Sequence, residues 1–160
     1  MTEALTDTIV HFLRSIGLTV HERTITDATV LPGITVNQGE LVVDRGKLLY
    51  PGDLLHEAGH LAVLPEAERS LLQQNVGDDG GMEMAAIAWS YAAAIHLSLP
   101  PEVVFHVNEY RGDANALIEN FAGGRYLGVP ILVWRGLTEG GNTASAAPTH
   151  YPRMTCWLAA

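Results

Sequence analysis

Apolar side chains recur every three or four residues along the first sixteen positions of the chain. This spacing places them on one face of a helix, and a glycine follows at the position where helices often end in a left-handed residue. The pattern predicts an amphipathic helix from Thr2 to Ile16, ended by Gly17. Its apolar face is formed by Leu5, Ile9, Val10, Phe12, Leu13 and Ile16.

Two later stretches, 18–25 and 34–50, are rich in β-branched and aliphatic residues that alternate or cluster. Turn signals interrupt the second stretch at Asn37-Gln38-Gly39 and at Asp44-Arg45-Gly46. Short apolar segments separated by such turns are typical of hairpins. We therefore expect a small antiparallel sheet of about three strands.

Two helices follow the predicted sheet. Asp53 is a suitable N-cap for a helix from Leu54 to about Leu64, which Pro65 would end. After a polar connection, a long apolar helix is predicted from Met82 to about Leu99, where two prolines close it. Beyond it we expect a helix over 113–122, a short strand over 129–134 and a loop over 138–149.

Length and composition favour one α+β domain that spans residues 1–160. The formal charge is −9 and the only lysine is Lys47, while the eight arginines are scattered. Because a phosphate-rich partner needs clustered cations, this composition disfavours nucleic acids and anionic membrane surfaces. The single Cys156, the acidic start and the lack of a long apolar run lead us to expect a cytoplasmic protein. The sequence leaves the oligomeric state open.

The segment His56-Glu57-Ala58-Gly59-His60 lies inside the first of these two helices. Positions four apart share a helix face, so both imidazoles can reach one metal ion, while Glu57 stays beside it without being a ligand. A carboxylate there can take the proton of a water that Zn²⁺ has acidified. The segment therefore predicts hydrolytic chemistry with Zn²⁺, with Glu57 as the general base.

A catalytic zinc site needs a third protein ligand, and Glu83 is the candidate. It opens the next long helix, where no other charged residue follows for many positions. The alternative is that Glu83 only favours the helix N-terminus through the helix dipole, an effect of less than about 1 kcal/mol. We favour ligation because the two helices are close in sequence and can pack antiparallel.

The His-Glu-x-x-His segment, together with Glu83-x-x-Ala86 on the following helix, resembles the gluzincin branch of the zincin metallopeptidases. The order of N-terminal helix, small sheet, motif helix and alanine-rich helix is similar to the small ImmA/IrrE-type bacterial peptidases. The resemblance implies a zincin-like domain in which a small antiparallel sheet packs on the motif helix and on an antiparallel glutamate-ligand helix. It also implies that His56, His60 and Glu83 hold zinc and that Glu57 is catalytic.

A zinc peptidase usually also has a side chain that stabilises the oxyanion. The sequence offers several donors, and we favour Tyr110 because it lies in a polar turn between two predicted helices; the others are Tyr50, Tyr91, His106, His150 and Tyr151. On the long helix, His96 and Trp89 are roughly opposite Glu83 and are expected to pack rather than bind metal. His11 and His21 are expected to be ordinary structural histidines.

The sequence thus predicts a zinc-dependent peptidase that acts on a peptide or protein substrate. The substrate could be held as an added strand along a sheet edge formed by Glu40 to Asp44. A rival from another class is a non-catalytic metal-binding or regulatory domain on the same scaffold. A third interpretation is a structural domain in which the motif has no function.

Overall fold

The computed structural model describes residues 2–73, 80–106, 114–139 and 151–160. The helices in these ranges are α1 (Thr2–Ser15), α2 (Asp53–Ala62), α3 (Glu66–Arg69), α4 (Gly80–His96), α5 (Ala114–Ala122), α6 (Val129–Trp134) and the 3₁₀ helix Pro101–Val103. The strands are β1 (Val20–Glu22), β2 (Ile34–Asn37) and β3 (Glu40–Val43). The expected α+β class is confirmed. No described helix combines the length and apolarity that crossing a membrane requires.

Helix α1 forms where the spacing of apolar residues predicts it. Ile9 and Leu13 are fully buried, and the helix packs against α2 and β1. Gly17 ends it with φ of +108°, a conformation that costs glycine little because it has no Cβ. The N–H of Leu18 then donates to the carbonyl of Leu13 at 3.1 Å, which satisfies one of the last helical carbonyls.

The sheet has three strands in the order β1-β3-β2, but it is mixed rather than antiparallel. Strands β2 and β3 form the predicted hairpin, with positive φ at Gln38 and Gly39 in the turn. Strand β1 pairs with β3 in parallel, from Val20 opposite Leu41 to Glu22 opposite Val43. The expectation of an all-antiparallel sheet was wrong. Strand β1 ends and β2 begins at the same end of the sheet, opposite Val43, so β3, which runs antiparallel to β2 and lies between the two, is parallel to β1.

Strand β3 is the central strand, so the predicted substrate-binding edge at Glu40 to Asp44 was wrong. Leu41, Val42 and Val43 are all buried. A strand that is apolar along its whole length is typical of the interior of a sheet, where both of its edges are paired. The free edges of the described sheet belong to β1 and β2. Asp44 follows β3 as a turn residue, and its carboxylate accepts a hydrogen bond from the N–H of Ile25 at 2.9 Å.

Helices α2 and α4 form the most extensive contact between described elements, and both contribute to the core. Gly59 of α2 faces Ala86 of α4 so closely that a Cβ at Gly59 would lie 2.8 Å from the Ala86 carbonyl oxygen. A side chain at this position would therefore push the two backbones apart. This contact explains a glycine inside a helix, where it would otherwise cost about 1 kcal/mol relative to alanine.

The start of α2 differs from the prediction. Gly52 is the N-cap residue and makes no side-chain capping bond, while Asp53 is the first residue of the helix. The Asp53 carboxylate is buried and contacts His106 instead of capping the helix. Gly52 itself lies against the 3₁₀ helix, because a Cβ there would overlap the carbonyl oxygen of Val103.

The last third of the chain contains one confirmed and one wrong prediction. Helix α5 coincides with the predicted helix over 113–122. The segment 129–134 is helix α6 rather than a strand, with Gly128 as its N-cap at φ +81° and Pro130 in its first turn. A short apolar run does not distinguish a buried strand from a buried helix, and here the glycine and proline determine the outcome. The predicted loop over 138–149 lies outside the described residues except for its first two positions.

Candidate metal centre

Two histidines on one face of α2 form the base of the candidate site. His56 and His60 are one turn apart, and each is only 3% exposed. Their Nε2 atoms lie 3.3 Å apart and their rings meet edge to face. The Nδ1 atom of His60 is buried and has no hydrogen-bond partner among the described residues, so the contacts of this ring are made through Nε2. Both imidazoles therefore direct a nitrogen toward the same point.

Glu83 of α4 completes the group. Its Oε1 lies 3.1 Å from Nε2 of His56, and its Oε2 lies 2.8 Å from Nε2 of His60. The Glu83 side chain remains 35% exposed, so the group is open to solvent on the side of α4. The structure thus brings together the three residues that the sequence predicts as ligands. The close approach of Gly59 to Ala86 brings α4 near enough to α2 for Glu83 to reach both histidines.

The spacing of these donors fits a small tetrahedral ion. With ligands at 2.0–2.1 Å, neighbouring donors in a tetrahedral zinc site are about 3.3 Å apart. The two Nε2 atoms have this separation, and the distances to the Glu83 oxygens are slightly shorter. The same distances are those of hydrogen bonds, which hold the three side chains in position when no ion is bound. The donor set is therefore chemically and geometrically able to hold a metal ion.

Glu57 lies beside this group. One of its carboxylate oxygens and the ring nitrogens of His56 and His60 all lie within 4.8 Å of one another, so Glu57 could also reach an ion. Glu83 is a better candidate for the third ligand than Glu57, because its carboxylate lies at hydrogen-bond distance from both Nε2 atoms. Glu57 is then left as a half-buried carboxylate next to the site.

The two carboxylates have opposite electrostatic environments. Burial raises the pKa of Glu57, and attraction to His60 and His56 offsets this only in part. Burial also acts to raise the pKa of Glu83, but hydrogen bonds from His56 and His60 outweigh it and hold that pKa well below its usual range. The lowered pKa favours the ionised form of Glu83, whereas Glu57 has the greater affinity for a proton.

A second buried pair lies one helical turn before the histidines. The Asp53 carboxylate is 1% exposed, and its Oδ1 lies 2.6 Å from Nε2 of His106, whose ring stacks on Tyr50 at 4.4 Å. At 100° per residue, Asp53, His56, Glu57 and His60 fall within an arc of about 100° on α2. The Asp53–His106 pair therefore adjoins the metal-binding face. The predicted capping role of Asp53 overlooked its place on this face, which its spacing of three from His56 indicates.

Replacing His106 with alanine should destabilise the fold by about 3 kcal/mol or more, because the buried Asp53 charge would lose its partner. His21 offers a matched control, since it pairs with Glu40 at 3.1 Å but both side chains are about half exposed. His21→Ala should change the free energy of unfolding by less than about 1 kcal/mol. Urea unfolding of both variants measures the difference. Equal effects of the two substitutions would show that burial of the Asp53–His106 pair contributes nothing.

The candidate oxyanion donors have different locations. Tyr110 and His150 lie outside the described residues. Tyr91 is a core residue that stacks on Phe105 and Phe121. Tyr151 is also buried, and its hydroxyl donates to the carbonyl of Ala88 at 2.7 Å. Of the described candidates, His106 adjoins the metal-binding face through its contact with Asp53, and Tyr50 lies next to it because its ring stacks on that of His106.

Trp89 and His96 pack against other side chains, as expected. Trp89 is fully buried and its indole N–H donates to the carbonyl of Trp157 at 2.9 Å. His96 is exposed at the end of α4 and packs on Phe12 and Trp157. His11 and His21 are exposed on α1 and β1.

Comparison with known proteins found no family model that matches the chain, no significantly similar curated protein and no significantly similar solved structure.

Proposed function

We propose that the protein is a zinc-dependent peptidase. One observation supports this above all: Nε2 of His56 and of His60 lie 3.3 Å apart, with the Glu83 carboxylate on both of them. Two neutral imidazoles and one carboxylate are a donor set of catalytic zinc sites, which leave a fourth position for water or substrate. The order His-Glu-x-x-His followed by a glutamate on the next helix gives the resemblance to gluzincins, from which the choice of peptide bonds as substrate comes.

In this proposal each residue has one task. His56 and His60 bind the metal through unprotonated Nε2, and Glu83 binds it as an anion. Zn²⁺ held there supplies Lewis acidity that lowers the pKa of water to about 7 and polarises a carbonyl. Glu57 accepts the proton of the attacking water on its carboxylate. It then passes that proton to the amide nitrogen as the peptide bond breaks.

The electrostatics favour this division of tasks. The raised pKa of Glu57 suits a group that takes up and releases a proton during each turnover. The lowered pKa of Glu83 suits a group that must stay charged. The partial exposure of Glu83 keeps the site in contact with solvent, from which the attacking water would come.

The proposal is tested by comparing chelated and zinc-reloaded protein. Protein purified without added metal should contain about one zinc per chain, measured by elemental analysis. The reloaded form should cleave members of a random peptide library, followed by mass spectrometry, and the chelated form should not. Zinc binding without cleavage would support the non-catalytic metal-binding domain instead. Absence of stoichiometric zinc would support a structural domain with no metal function.

A further inference from the structure

A groove on the molecule remote from the metal centre has no assigned role. It encloses about 640 Å³, a volume in the range of pockets that bind small molecules. Its described lining comes from the last turn of α4 and from the C-terminal segment, namely Ile95, His96, Pro152, Arg153, Met154 and Trp157. His96 is thirteen residues beyond Glu83, which is about 20 Å along the helix and roughly on its opposite side. A ligand in this groove would not meet the metal centre.

The apolar wall of the groove is held in place by the core. The ring of Trp157 packs edge to face on Phe12 and Trp89, at centroid distances of 5.1 and 5.5 Å. Its backbone carbonyl also accepts the hydrogen bond from the Trp89 indole. The His96 ring lies 5.2 Å from that of Trp157. An aromatic surface fixed in this way needs little ordering when a ligand binds to it.

One strong cation borders this apolar wall. The Arg153 side chain is exposed, and its guanidinium forms no ion pair or hydrogen bond with a described residue. Its backbone is nevertheless anchored, because the Arg153 carbonyl accepts a hydrogen bond from the Thr138 hydroxyl at 2.9 Å. None of the described lining residues is acidic, although acidic residues outnumber basic ones by eighteen to nine in the whole chain. The described lining therefore carries one strong cation and no acidic residue, on a protein that is acidic as a whole.

We propose that this groove binds a small organic carboxylate with an aromatic or branched aliphatic body. Arg153 would hold the carboxylate through two parallel hydrogen bonds, the geometry for which a guanidinium is suited. The body of the ligand would pack on Trp157, Met154 and Ile95. Its burial there would contribute to the binding free energy in proportion to the apolar area removed from water. Because the groove shares no residue with the metal centre, this proposal stands independently of the peptidase proposal.

The test uses 4-phenylbutyrate as the probe and its uncharged amide, 4-phenylbutanamide, as the comparison, in titration calorimetry with the full chain. The acid should bind saturably with a Kd below about 1 mM, and the amide about tenfold more weakly, because it lacks the charge that Arg153 recognises. Arg153→Gln should weaken binding of the acid about tenfold. The matched control is Arg23→Gln, which removes an exposed arginine on the β1 side and should leave the Kd unchanged.

Carboxylates also bind zinc, so the titration is repeated with the variant His56→Ala/His60→Ala. Binding that persists in this variant and weakens in Arg153→Gln supports the groove. Binding that is lost in the histidine variant and unaffected by Arg153→Gln would locate the probe at the metal centre and overturn the proposal. Equal affinity for acid and amide, or no saturable binding, would overturn it as well. Circular dichroism of each variant verifies that the fold is intact.

Discussion

Glu57→Gln should reduce peptide hydrolysis by about 10²–10⁴-fold while the protein still binds about one zinc ion per chain. The amide keeps the size of the side chain but cannot accept a proton from water at neutral pH. Since His56, His60 and Glu83 remain, the metal ligands are untouched. The measurement is the initial rate of cleavage of one identified peptide, together with zinc content by elemental analysis.

Glu83→Gln is the matched control, because it makes the same chemical change in the carboxylate that the other helix contributes to the site. This variant should lose zinc affinity itself, since a neutral amide replaces the anionic ligand that contacts both imidazoles. If both variants lost zinc to the same extent, Glu57 would be a ligand rather than the base. If Glu57→Gln kept full activity, the proposed mechanism would be wrong.

The double substitution His56→Ala/His60→Ala should remove zinc binding entirely. Two of the three proposed protein ligands are then missing, and the carboxylates of Glu83 and Glu57 alone form too weak a site for zinc. The stability that zinc adds should disappear with it, an increment of about 4 kcal/mol when free zinc is a thousandfold above its Kd. Melting curves recorded with and without zinc measure this increment for wild type and variant.

The control for this experiment is His11→Ala/His21→Ala, which removes two exposed histidines from α1 and β1. Its zinc content and its zinc-dependent increment in melting temperature should equal those of the wild type. An undiminished zinc content in the His56/His60 variant would show that the ion binds elsewhere. Loss of zinc in both double variants would point to nonspecific effects of histidine removal.

The candidate site could be predicted from sequence to the extent that it depends on local helical geometry. His56 and His60 share a face because they are four residues apart, and any helix would place them so. The contact with Glu83 depends on how α2 packs against α4, but a lone carboxylate on an apolar helix was a sufficient signal. The Asp53–His106 pair joins residues 53 apart in sequence, and no local pattern specifies such a contact.

The errors in the fold have the same origin. Both errors concern short segments, namely β1 and 129–134, whose length is too small for their residue pattern to specify strand direction or to separate strand from helix. Gly128, the N-cap of α6, lies so close to the backbone of Met84 that α4 leaves no room there for a side chain. Long amphipathic segments such as α1 were predicted well because one face of the helix is enough to define them.

The contact between Gly59 and Ala86 has a consequence for the choice of ion. The backbones of α2 and α4 are already in close contact at Gly59 and Ala86, so the helices cannot move closer together. Their tight packing also opposes separation. The distances between the donor atoms of His56, His60 and Glu83 therefore have little freedom to change. An ion the size of Ca²⁺, with ligands at 2.3–2.6 Å, would need donor separations of about 3.9 Å in the same arrangement and further oxygen ligands besides. In the proposed zinc site, a backbone contact that contains no ligand atom would therefore favour an ion of small radius.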